Sequence, residues 1–367
     1  MLTKKLGLVG LWLLLLLPKQ VWANSSEYWS LQEYLTLFPA QQPLSHQFAD
    51  RVRQPAAPLQ APLAKSINIV MLTPDQQVSD YWVRNQQSLS KRLAEIGVPF
   101  SLHSYASLPA TAHREQEQQL ANALLSDPDY LILTLNSQRQ GVLIDKLMTR
   151  DRPKVILMNI TTPLKHLSNR QPFFYVGFDH RDGTRLLNNK IKELTSSQAN
   201  YLMLYGTRGY ISEARGDEFI HLNANEPYMN LSQAFYTDVS SEKAKQAVLQ
   251  TLKTKPNINL IYACTTDIAL GAAAALKQLN KAGKVMLNGW GGGSAELEAL
   301  AAGSLDLTVM RMNDDNGVAI AEAIRLDQVG KNNLIPQVYS GDFAVIDRQT
   351  SKAELERLKD YAFRYSN

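Results

Sequence analysis

The 367-residue chain contains a single cysteine, Cys264, and six histidines scattered along its length. One cysteine cannot form an intrachain disulfide, so a disulfide-stapled scaffold is excluded. The short His and Cys intervals typical of zinc sites are also absent. We therefore expect no metal and no cofactor.

Signatures of catalysis are equally scarce. The glycine-rich run GWGGGS at residues 289–294 has Ser294 where the dinucleotide-binding fingerprint GxGxxG needs its third glycine. The sequence also shows no nucleophile elbow and no paired acid and base, so it predicts a protein that is not an enzyme. We interpret the glycine run as a tight turn capped by Ser294. Its backbone N–H groups, at a helix start, would favour a negative ligand.

The only long apolar run lies near the N-terminus. It covers the 12 residues 6–17, follows Lys4 and Lys5, and is shorter than the roughly 20 residues that span a bilayer. This pattern predicts a signal peptide over residues 1–23, cut after Ala23, and hence a periplasmic protein without direct membrane insertion. Its removal takes away Lys4, Lys5 and Lys19, so the net charge falls from +4 to 4 − 3 = +1. That charge leaves no basic footprint for nucleic acid.

Residues 24–66 are predicted to form an N-terminal helical arm and a proline-rich spacer. Apolar side chains recur at helical spacing before Pro39, at Tyr28, Leu31, Tyr34, Leu35 and Phe38. Three prolines in QPAAPLQAPLAK then favour an extended segment. The apolar stripe of the helix needs a partner surface, which could be the body of this chain or another protein.

From residue 67 onward, apolar strand patterns alternate with helical patterns in two successive series. The first series runs from INIVML to KVILMN, and the second from FFYVGFD to KVMLNGW. Such alternation predicts an α/β fold with two doubly wound, mostly parallel sheets, each covered by helices on both faces. Because the two lobes have similar element order, the cleft between them is the expected ligand site.

Three consecutive strand ends of the second series carry polar, glycine or aromatic residues where a helix should begin. They occur in YACTTDIALGA, LNGWGGGSAEL and VMRMNDD. Ligands of α/β proteins bind at such strand ends. Thr266, Asp267, Trp290 and Arg311 are therefore candidate cleft residues, and a wall of this composition suits recognition better than bond breaking.

From residue 67 to the C-terminus, the sequence resembles the periplasmic sugar-binding proteins of the ribose-binding type. Within that family, the autoinducer-2 receptors of quorum sensing are the most similar, through the motifs QQVSDYWVRN, NITTP, YVGFDH, GYISEARGDEFIH, IYACTTDIALGA, NGWGGGSAEL and VMRMNDD and the ending AFRYS. The resemblance implies a type I periplasmic binding protein fold with a three-crossing hinge near residues 160, 311 and 338. Lobe 1 would then comprise residues 67–160 and 311–337, and lobe 2 residues 161–310 and 338–367.

The resemblance also implies a ligand and a partner. The ligand is autoinducer-2 as its cyclic borate diester, with boron as part of the ligand. The partner is the periplasmic domain of a LuxQ-like membrane sensor histidine kinase. Carried over position by position, the resemblance implicates eight ligand-binding residues: Gln77, Ser79, Trp82, Asn159, Arg215, Thr266, Trp290 and Arg311. Two guanidinium groups suit an anionic borate ester through charge-assisted hydrogen bonds, and the two tryptophans would cover apolar ring faces.

Each of these residues has an ordinary structural alternative. Trp82 could belong to a core stripe, and Ser79 and Asp267 could cap helices. Arg215 could pair with Glu218, and Arg311 with Asp314 or Asp315. Asn136 is a further, weaker candidate for the cleft. For function, the alternative is the pentose-binding component of an ABC importer, which should show carboxylates where Asn159 and Arg311 stand.

Overall fold

The computed structural model describes residues 27–75, 77–108, 112–135, 138–195 and 198–367. The predicted signal peptide lies outside the described residues. Within these ranges the chain forms twelve strands: β1 (Ile67–Pro74), β2 (Phe100–Ser107), β3 (Tyr130–Thr134), β4 (Lys154–Met158), β5 (Phe174–Gly177), β6 (Ala199–Tyr205), β7 (Met229–Tyr236), β8 (Leu260–Ala263), β9 (Met286–Gly291), β10 (Leu307–Arg311), β11 (Val338–Ser340) and β12 (Phe343–Asp347).

The strands form two six-stranded sheets. The first has the order β11-β5-β4-β3-β1-β2, and the second the order β12-β10-β9-β8-β6-β7. Paired strands run parallel except β10 and β12, which are antiparallel. Central strands such as β3 and β8 are buried along their whole length, because helices cover both faces of a parallel sheet. The predicted α/β class with two doubly wound lobes is confirmed.

The helices that cover the sheets are α1 (Leu31–Leu37), α2 (Gln41–Arg53), α3 (Tyr81–Ile96), α4 (His113–Leu125), α5 (Gln138–Leu147), α6 (His180–Leu194), α7 (Tyr210–Ser212), α8 (Glu218–Leu222), α9 (Ser241–Thr254), α10 (Thr266–Gln278), α11 (Ser294–Ala301), α12 (Asp314–Gln328) and α13 (Lys352–Ala362). Helix α3 illustrates why they form, since Leu89, Leu93 and Ile96 recur at helical spacing on its buried face. Among the described helices, none is both long enough and apolar enough to cross a membrane.

Three crossings between the lobes were expected, and two of them lie at other positions in the structure. Strand β5 pairs with β4, and β11 pairs with β5, so both belong to the first sheet. The first crossing therefore follows Gly177 instead of residue 160, and the last follows Ser340 instead of residue 338. The cause of the first error is the β4–β5 connection. It contains only the short 3-10 helix Lys165–Leu167 where a crossover helix is usual, so it resembled a linker between lobes.

Helix α1 of the arm occupies the place of that missing crossover helix. Its Tyr34 is buried in one hydrophobic cluster with Leu157 of β4, Leu164 of the connection and Tyr175 of β5. The backbone of Trp29 also donates a hydrogen bond to the carbonyl of Pro163 at 3.0 Å. The apolar stripe of the arm therefore packs on the chain's own body, mainly on the first lobe, while Tyr28 also contacts Tyr210 of the second lobe with ring centroids 5.0 Å apart.

The arm contains a second helix, α2, that the sequence analysis missed. Its Phe48 and Val52 lie in the core of the first lobe. The spacing of Leu44, Phe48 and Val52 is the signal that could have identified it. The proline-rich segment follows α2 directly and begins at Gln54, as predicted.

Candidate functional site

A cavity of about 630 Å³ lies between the two lobes, where the carboxyl ends of strands from both sheets meet. It is lined by Gln77, Ser79, Tyr81, Trp82, Asn159, Gly206, Thr207, Ile211, Ser212, Arg215, Val239, Thr265, Thr266, Asp267, Trp290 and Arg311. The structure thus brings all eight predicted site residues to one cavity, and their contact with a ligand stays a prediction. The weaker candidate Asn136 lies outside the described residues.

The connection after β1 and the first turn of α3 supply three of the side chains from the first lobe, Gln77, Ser79 and Trp82. Gln77 Oε1 accepts a hydrogen bond from Trp82 Nε1 at 3.0 Å, which holds the indole in place. Trp82 is buried in the core cluster of the first lobe and also lines the cavity. Its core interpretation is confirmed, and its contact with a ligand stays a prediction. Ser79 does not cap α3, because Asp80 occupies that position.

Asn159 follows β4 with a backbone φ of 65°, a left-handed conformation that asparagine tolerates better than most residues. Its Oδ1 is buried and has no hydrogen-bond partner. The neighbouring backbone is crowded, since a Cβ on Gly177 would lie 2.6 Å from Ile160 N. Asn159 thus lines the cavity and carries a buried amide oxygen that a ligand hydroxyl could satisfy.

Arg215 comes from the second lobe, on the π-helical turn Glu213–Asp217 between α7 and α8. Its Nη1 donates to the carbonyl of Cys264 at 2.8 Å, and its guanidinium stacks 3.6 Å from the Trp290 ring centroid. The alternative of pairing with Glu218 is wrong, because Glu218 pairs with Arg181 instead. Burial, and then the positive charge of Arg311, lower the pKa of Arg215 to about 9.

Arg311 lies at the end of β10, with its guanidinium 4.0 Å from the Tyr81 ring centroid. The alternative of pairing with Asp315 is wrong, because that carboxylate bonds Arg364 at 2.7 Å. Burial lowers the pKa of Arg311. Two guanidinium groups therefore share the cavity, and among the described residues neither forms an ion pair.

The start of α10 contributes Thr266 and Asp267. Thr265 is the N-cap of this helix, so the prediction that Asp267 caps it is wrong. Asp267 instead accepts a hydrogen bond through Oδ1 from the backbone N–H of Val78 on the other lobe, at 2.8 Å. Its Oδ2 is buried without a hydrogen-bond partner, and burial raises the pKa of Asp267. Asp267 is thus both a contact between lobes and part of the cavity wall.

The glycine turn before α11 does not offer free N–H groups to an anion. The carboxylate of Glu296 accepts hydrogen bonds from Trp290 N at 2.9 Å and Gly292 N at 2.7 Å. Gly293, not Ser294, is the N-cap of α11. The anion-binding interpretation of this turn is therefore wrong, because an internal carboxylate already occupies it. The turn serves to present the Trp290 ring to the cavity.

Several cavity residues were missed by the sequence analysis. Tyr81 adjoins Trp82 in the same motif, and its position in the first turn of α3 was a usable signal. Gly206, Thr207 and Val239 follow the ends of β6 and β7, which are strand ends of the kind already used for the other candidates.

A second cavity of about 550 Å³ lies wholly within the first lobe, between α4 and α5. Its lining contains leucine, isoleucine, glutamine, serine, threonine and proline side chains and no charged group. This cavity lies in one lobe and its lining offers no charged side chain, whereas the interlobe cavity carries two arginines and an aspartate. The interlobe cavity is therefore the candidate site. Among the described residues, no cluster of His, Cys, Asp or Glu could hold a metal ion.

Comparison with known proteins identifies the family. Residues 69–331, more than half of the chain, match the profile described as periplasmic binding protein domain. An ABC transporter solute-binding protein from Agrobacterium vitis, bound with alpha-D-tagatopyranose, has a TM-score of 0.70 and 15% identity over 79% of this chain and 98% of that chain. One from Actinobacillus succinogenes with bound D-allose has a TM-score of 0.66 and 21% identity over 79% of this chain and 99% of that chain.

A third similar structure is a solute-binding protein from Bacillus halodurans with bound myo-inositol. Its TM-score is 0.67, with 16% identity over 82% of this chain and 99% of that chain. At these identities the likeness establishes the fold, the type I arrangement of two parallel-sheet lobes. Members of the family bind ligands and do not catalyse reactions. The chain belongs to the periplasmic binding protein domain family and is a ligand-binding protein rather than an enzyme.

Proposed function

We propose that the chain is a periplasmic receptor of the LuxP type, which binds autoinducer-2 as its furanosyl borate diester in the interlobe cavity. The observation that carries the proposal is the pair Arg215 and Arg311. They are 3% and 5% exposed, and both face the cavity. A buried cation without a counter-ion is costly, so a ligand with negative charge relieves that cost.

The charge of the cavity wall favours an anion. Two guanidinium groups face one carboxylate, Asp267, among the lining residues. The pKa of Asp267 is raised by burial, and the wall keeps a net positive charge whether or not that carboxyl group is ionised. A tetrahedral borate ester is anionic and has several acceptor oxygens. Each hydrogen bond from a guanidinium to it would contribute roughly 1.5–3 kcal/mol.

The remaining wall suits a small ring with hydroxyl groups. Trp82 and Trp290 offer apolar faces, and Asn159 Oδ1 is a buried polar atom without a partner. An amide oxygen can accept a hydrogen bond from a ligand hydroxyl. A small number of such polar groups is expected in a site for a ligand with hydroxyl groups.

The second candidate is a neutral-sugar receptor of an ABC importer. The similar structures named above hold D-allose, alpha-D-tagatopyranose and myo-inositol, all of them neutral polyols. The free Oδ2 of Asp267 also favours this candidate, because a carboxylate oxygen accepts well from sugar hydroxyls. A neutral ligand, however, would leave both guanidinium groups without a counter-charge.

Analysis of the bound molecule separates the two candidates. The protein is purified from cells grown with boric acid and mildly denatured, and the released molecule is examined by mass spectrometry and boron analysis. We expect about one boron per protein and the mass of a cyclic borate ester. Arg311→Met should abolish the boron signal, whereas Arg357→Met, on the exposed face of α13, should retain it. A boron-free pentose from the wild type would reject the borate proposal and favour the importer.

We further propose a periplasmic location and a LuxQ-like sensor histidine kinase as the membrane partner. The family assignment supports the location, and the likeness of the sequence motifs to autoinducer-2 receptors supports the partner. N-terminal sequencing of exported protein should begin at Asn24. Pull-down with the periplasmic domain of the kinase should depend on the bound ligand. Export without cleavage, or no association in either ligand state, would contradict these two statements respectively.

A further inference from the structure

His180 lies directly behind the cavity wall and touches three of the candidate site residues. Its Nε2 is 3.0 Å from the carbonyl oxygen of Asn159, and its Nδ1 is 3.3 Å from Arg215 Nη2. Its ring packs edge-on against Trp290, with centroids 5.3 Å apart. The side chain is fully buried at the start of α6, immediately after the first crossing between lobes.

The chemistry of these neighbours dictates the tautomer of His180. A guanidinium can only donate hydrogen bonds, so Nδ1 must carry a lone pair to accept from Arg215. The carbonyl of Asn159 can only accept, so Nε2 must carry the proton. His180 is therefore the neutral Nε2–H tautomer. Burial, and then the charge of Arg215, lower the pKa of His180 well below its ordinary value, in agreement with this assignment.

The contacts of Arg215 show what His180 adds. The guanidinium is fixed at one end by the Cys264 carbonyl at 2.8 Å and on its face by Trp290. Without a further acceptor at Nη2, it could rotate in its plane about the Cys264 bond. Nδ1 of His180 supplies that acceptor, and a neutral acceptor leaves the full positive charge of Arg215 available to a ligand.

We propose that His180 is a positioning residue for ligand recognition. It orients the guanidinium of Arg215 toward the cavity and ties that group, from the second lobe, to the backbone of Asn159 in the first. This inference rests on the function proposed above, because it assigns His180 a role in binding the anionic ligand. It does not place His180 in contact with that ligand.

Two substitutions separate the two hydrogen bonds of His180. In His180→Asn, the side-chain oxygen can take the place of Nδ1 and accept from Arg215, while the bond to Asn159 is lost. In His180→Gln, the amide nitrogen can take the place of Nε2 and donate to Asn159, while the acceptor for Arg215 is lost. We expect His180→Gln to weaken binding of autoinducer-2 in borate buffer by about tenfold or more, because a hydrogen bond to a charged group is lost. His180→Asn should stay within about threefold of wild type.

A double-mutant cycle tests whether His180 acts through Arg215. In the Arg215→Met background, His180→Gln should change the affinity by less than about twofold, because no guanidinium remains to be oriented. Thermal unfolding of every variant gives the structural contribution separately. The matched controls are His46→Asn and His46→Gln on the exposed face of α2, which should not change affinity. Equal loss in His180→Asn and His180→Gln, or an undiminished loss in the Arg215→Met background, overturns the proposal.

A ligand-free measurement distinguishes failure of this inference from failure of the proposed function. In ¹⁵N-histidine-labelled protein, the His180 resonances should report a protonated Nε2 and an unprotonated Nδ1. Arg215→Met should shift the Nδ1 resonance, and His46 should not respond. If the wild type does not bind the borate ligand but these shifts appear, the proposed function fails while the contact between His180 and Arg215 stands. A protonated Nδ1, or a Nδ1 resonance that ignores Arg215→Met, overturns the inference itself.

Discussion

Asp80 Oδ2 accepts two hydrogen bonds from Ser294 across the cleft, from its backbone N–H at 3.2 Å and its hydroxyl at 2.8 Å. Asp80 is the N-cap of α3 in the first lobe, and Ser294 begins α11 in the second. Arg84 completes the contact, with Nε 2.6 Å from Asp80 Oδ2 and Nη2 2.8 Å from Ser294 Oγ. Burial opposes the charge of Asp80, but Arg84 holds the pKa of that carboxyl below its ordinary value. Side chains of the two lobes therefore stabilise the closed arrangement directly, in addition to any contact that a ligand makes.

Ser294→Ala should shift the lobes toward an open arrangement. It removes the hydroxyl that bonds both Asp80 and Arg84, at an expected cost of about 1–2 kcal/mol to the closed state. Because a ligand must supply that difference, affinity should fall roughly 5- to 30-fold. Calorimetry measures the affinity, and small-angle scattering the radius of gyration without ligand.

The matched control is Ser351→Ala, which removes the N-cap of α13 far from the cleft contact. It should lower the free energy of unfolding by about 1 kcal/mol and leave affinity unchanged. If Ser294→Ala and Ser351→Ala both leave affinity at the wild-type value, the contact between Asp80 and Ser294 has no influence on closure.

Gly293→Ala should block closure more directly. A Cβ at this position would lie 2.2 Å from Asp80 Oδ1, a contact that exists only when the lobes meet. We expect a loss of affinity of at least about tenfold, with little change in the stability of the unliganded protein, because an open arrangement relieves the clash. Scattering at saturating ligand should show a larger radius of gyration than wild type.

Gly141→Ala is the control for this exchange. It lies on α5, and a Cβ there meets nothing within 4 Å. This variant should bind normally and be as stable as the wild type or slightly more so. If Gly293→Ala closes and binds ligand like the control, the closed arrangement accommodates the added methyl group beside Asp80 without cost, and this prediction is wrong.

Replacement by methionine should affect the free energy of unfolding differently at two arginines of similar burial, Arg92 and Arg311. Arg92 is 1% exposed and bonds Glu322 at 2.7 Å, so Arg92→Met removes one of the two guanidinium partners of that buried carboxylate, which keeps Arg325 at 3.0 Å. The lost hydrogen bonds to a charged group should cost about 1.5–3 kcal/mol of folding free energy. Arg311 has no ion pair among the described residues, so Arg311→Met should leave the unliganded protein equally or more stable while abolishing anion binding.

Denaturant unfolding and calorimetry on the same preparations measure both effects. A strong loss of stability in Arg311→Met would mean that its charge is balanced within the protein. The cavity would then have no need of an anion.

Asp179→Asn should stabilise the protein in a pH-dependent way. Burial, and then the charge of Asp182, raise the pKa of Asp179 to about 6. Since its ordinary pKa is near 4, the folded state holds the proton more tightly, and this carboxyl group lowers stability as pH rises from about 4 to 6. Asparagine can keep the N-cap of α6, where Asp179 accepts from Arg181 N and Asp182 N, without that penalty.

The stability gain of Asp179→Asn over wild type should therefore be small at pH 4 and reach about 3 kcal/mol at pH 7. Denaturant unfolding at both pH values measures it. Asp360→Asn, on an exposed position of α13, should change the free energy of unfolding by less than about 0.5 kcal/mol at either pH. A gain that is equal at pH 4 and pH 7 would contradict the raised pKa.

The alternation of apolar strands and amphipathic helices was readable from the sequence, because each pattern repeats within a few residues. The cavity residues at strand ends were readable for the same reason: Thr266, Trp290 and Arg311 each follow an apolar run where a helix begins. Arg215 and Asn159 rested on resemblance to a family, since no local pattern distinguishes them from surface or turn residues.

Only the tertiary structure decided which sheet β5 and β11 join, because hydrogen bonds between parallel strands depend on partners distant in the sequence. It also decided that Glu218 pairs with Arg181, that Glu296 fills the glycine turn, and that Asp267 bonds Val78. Spacing along one helix suggested Arg215 as the partner of Glu218, and it suggested that Asp267 caps its own helix. A buried charged group pairs with whichever polar group the packing brings within about 3 Å of it. That group is often distant in the sequence, so local spacing cannot identify it.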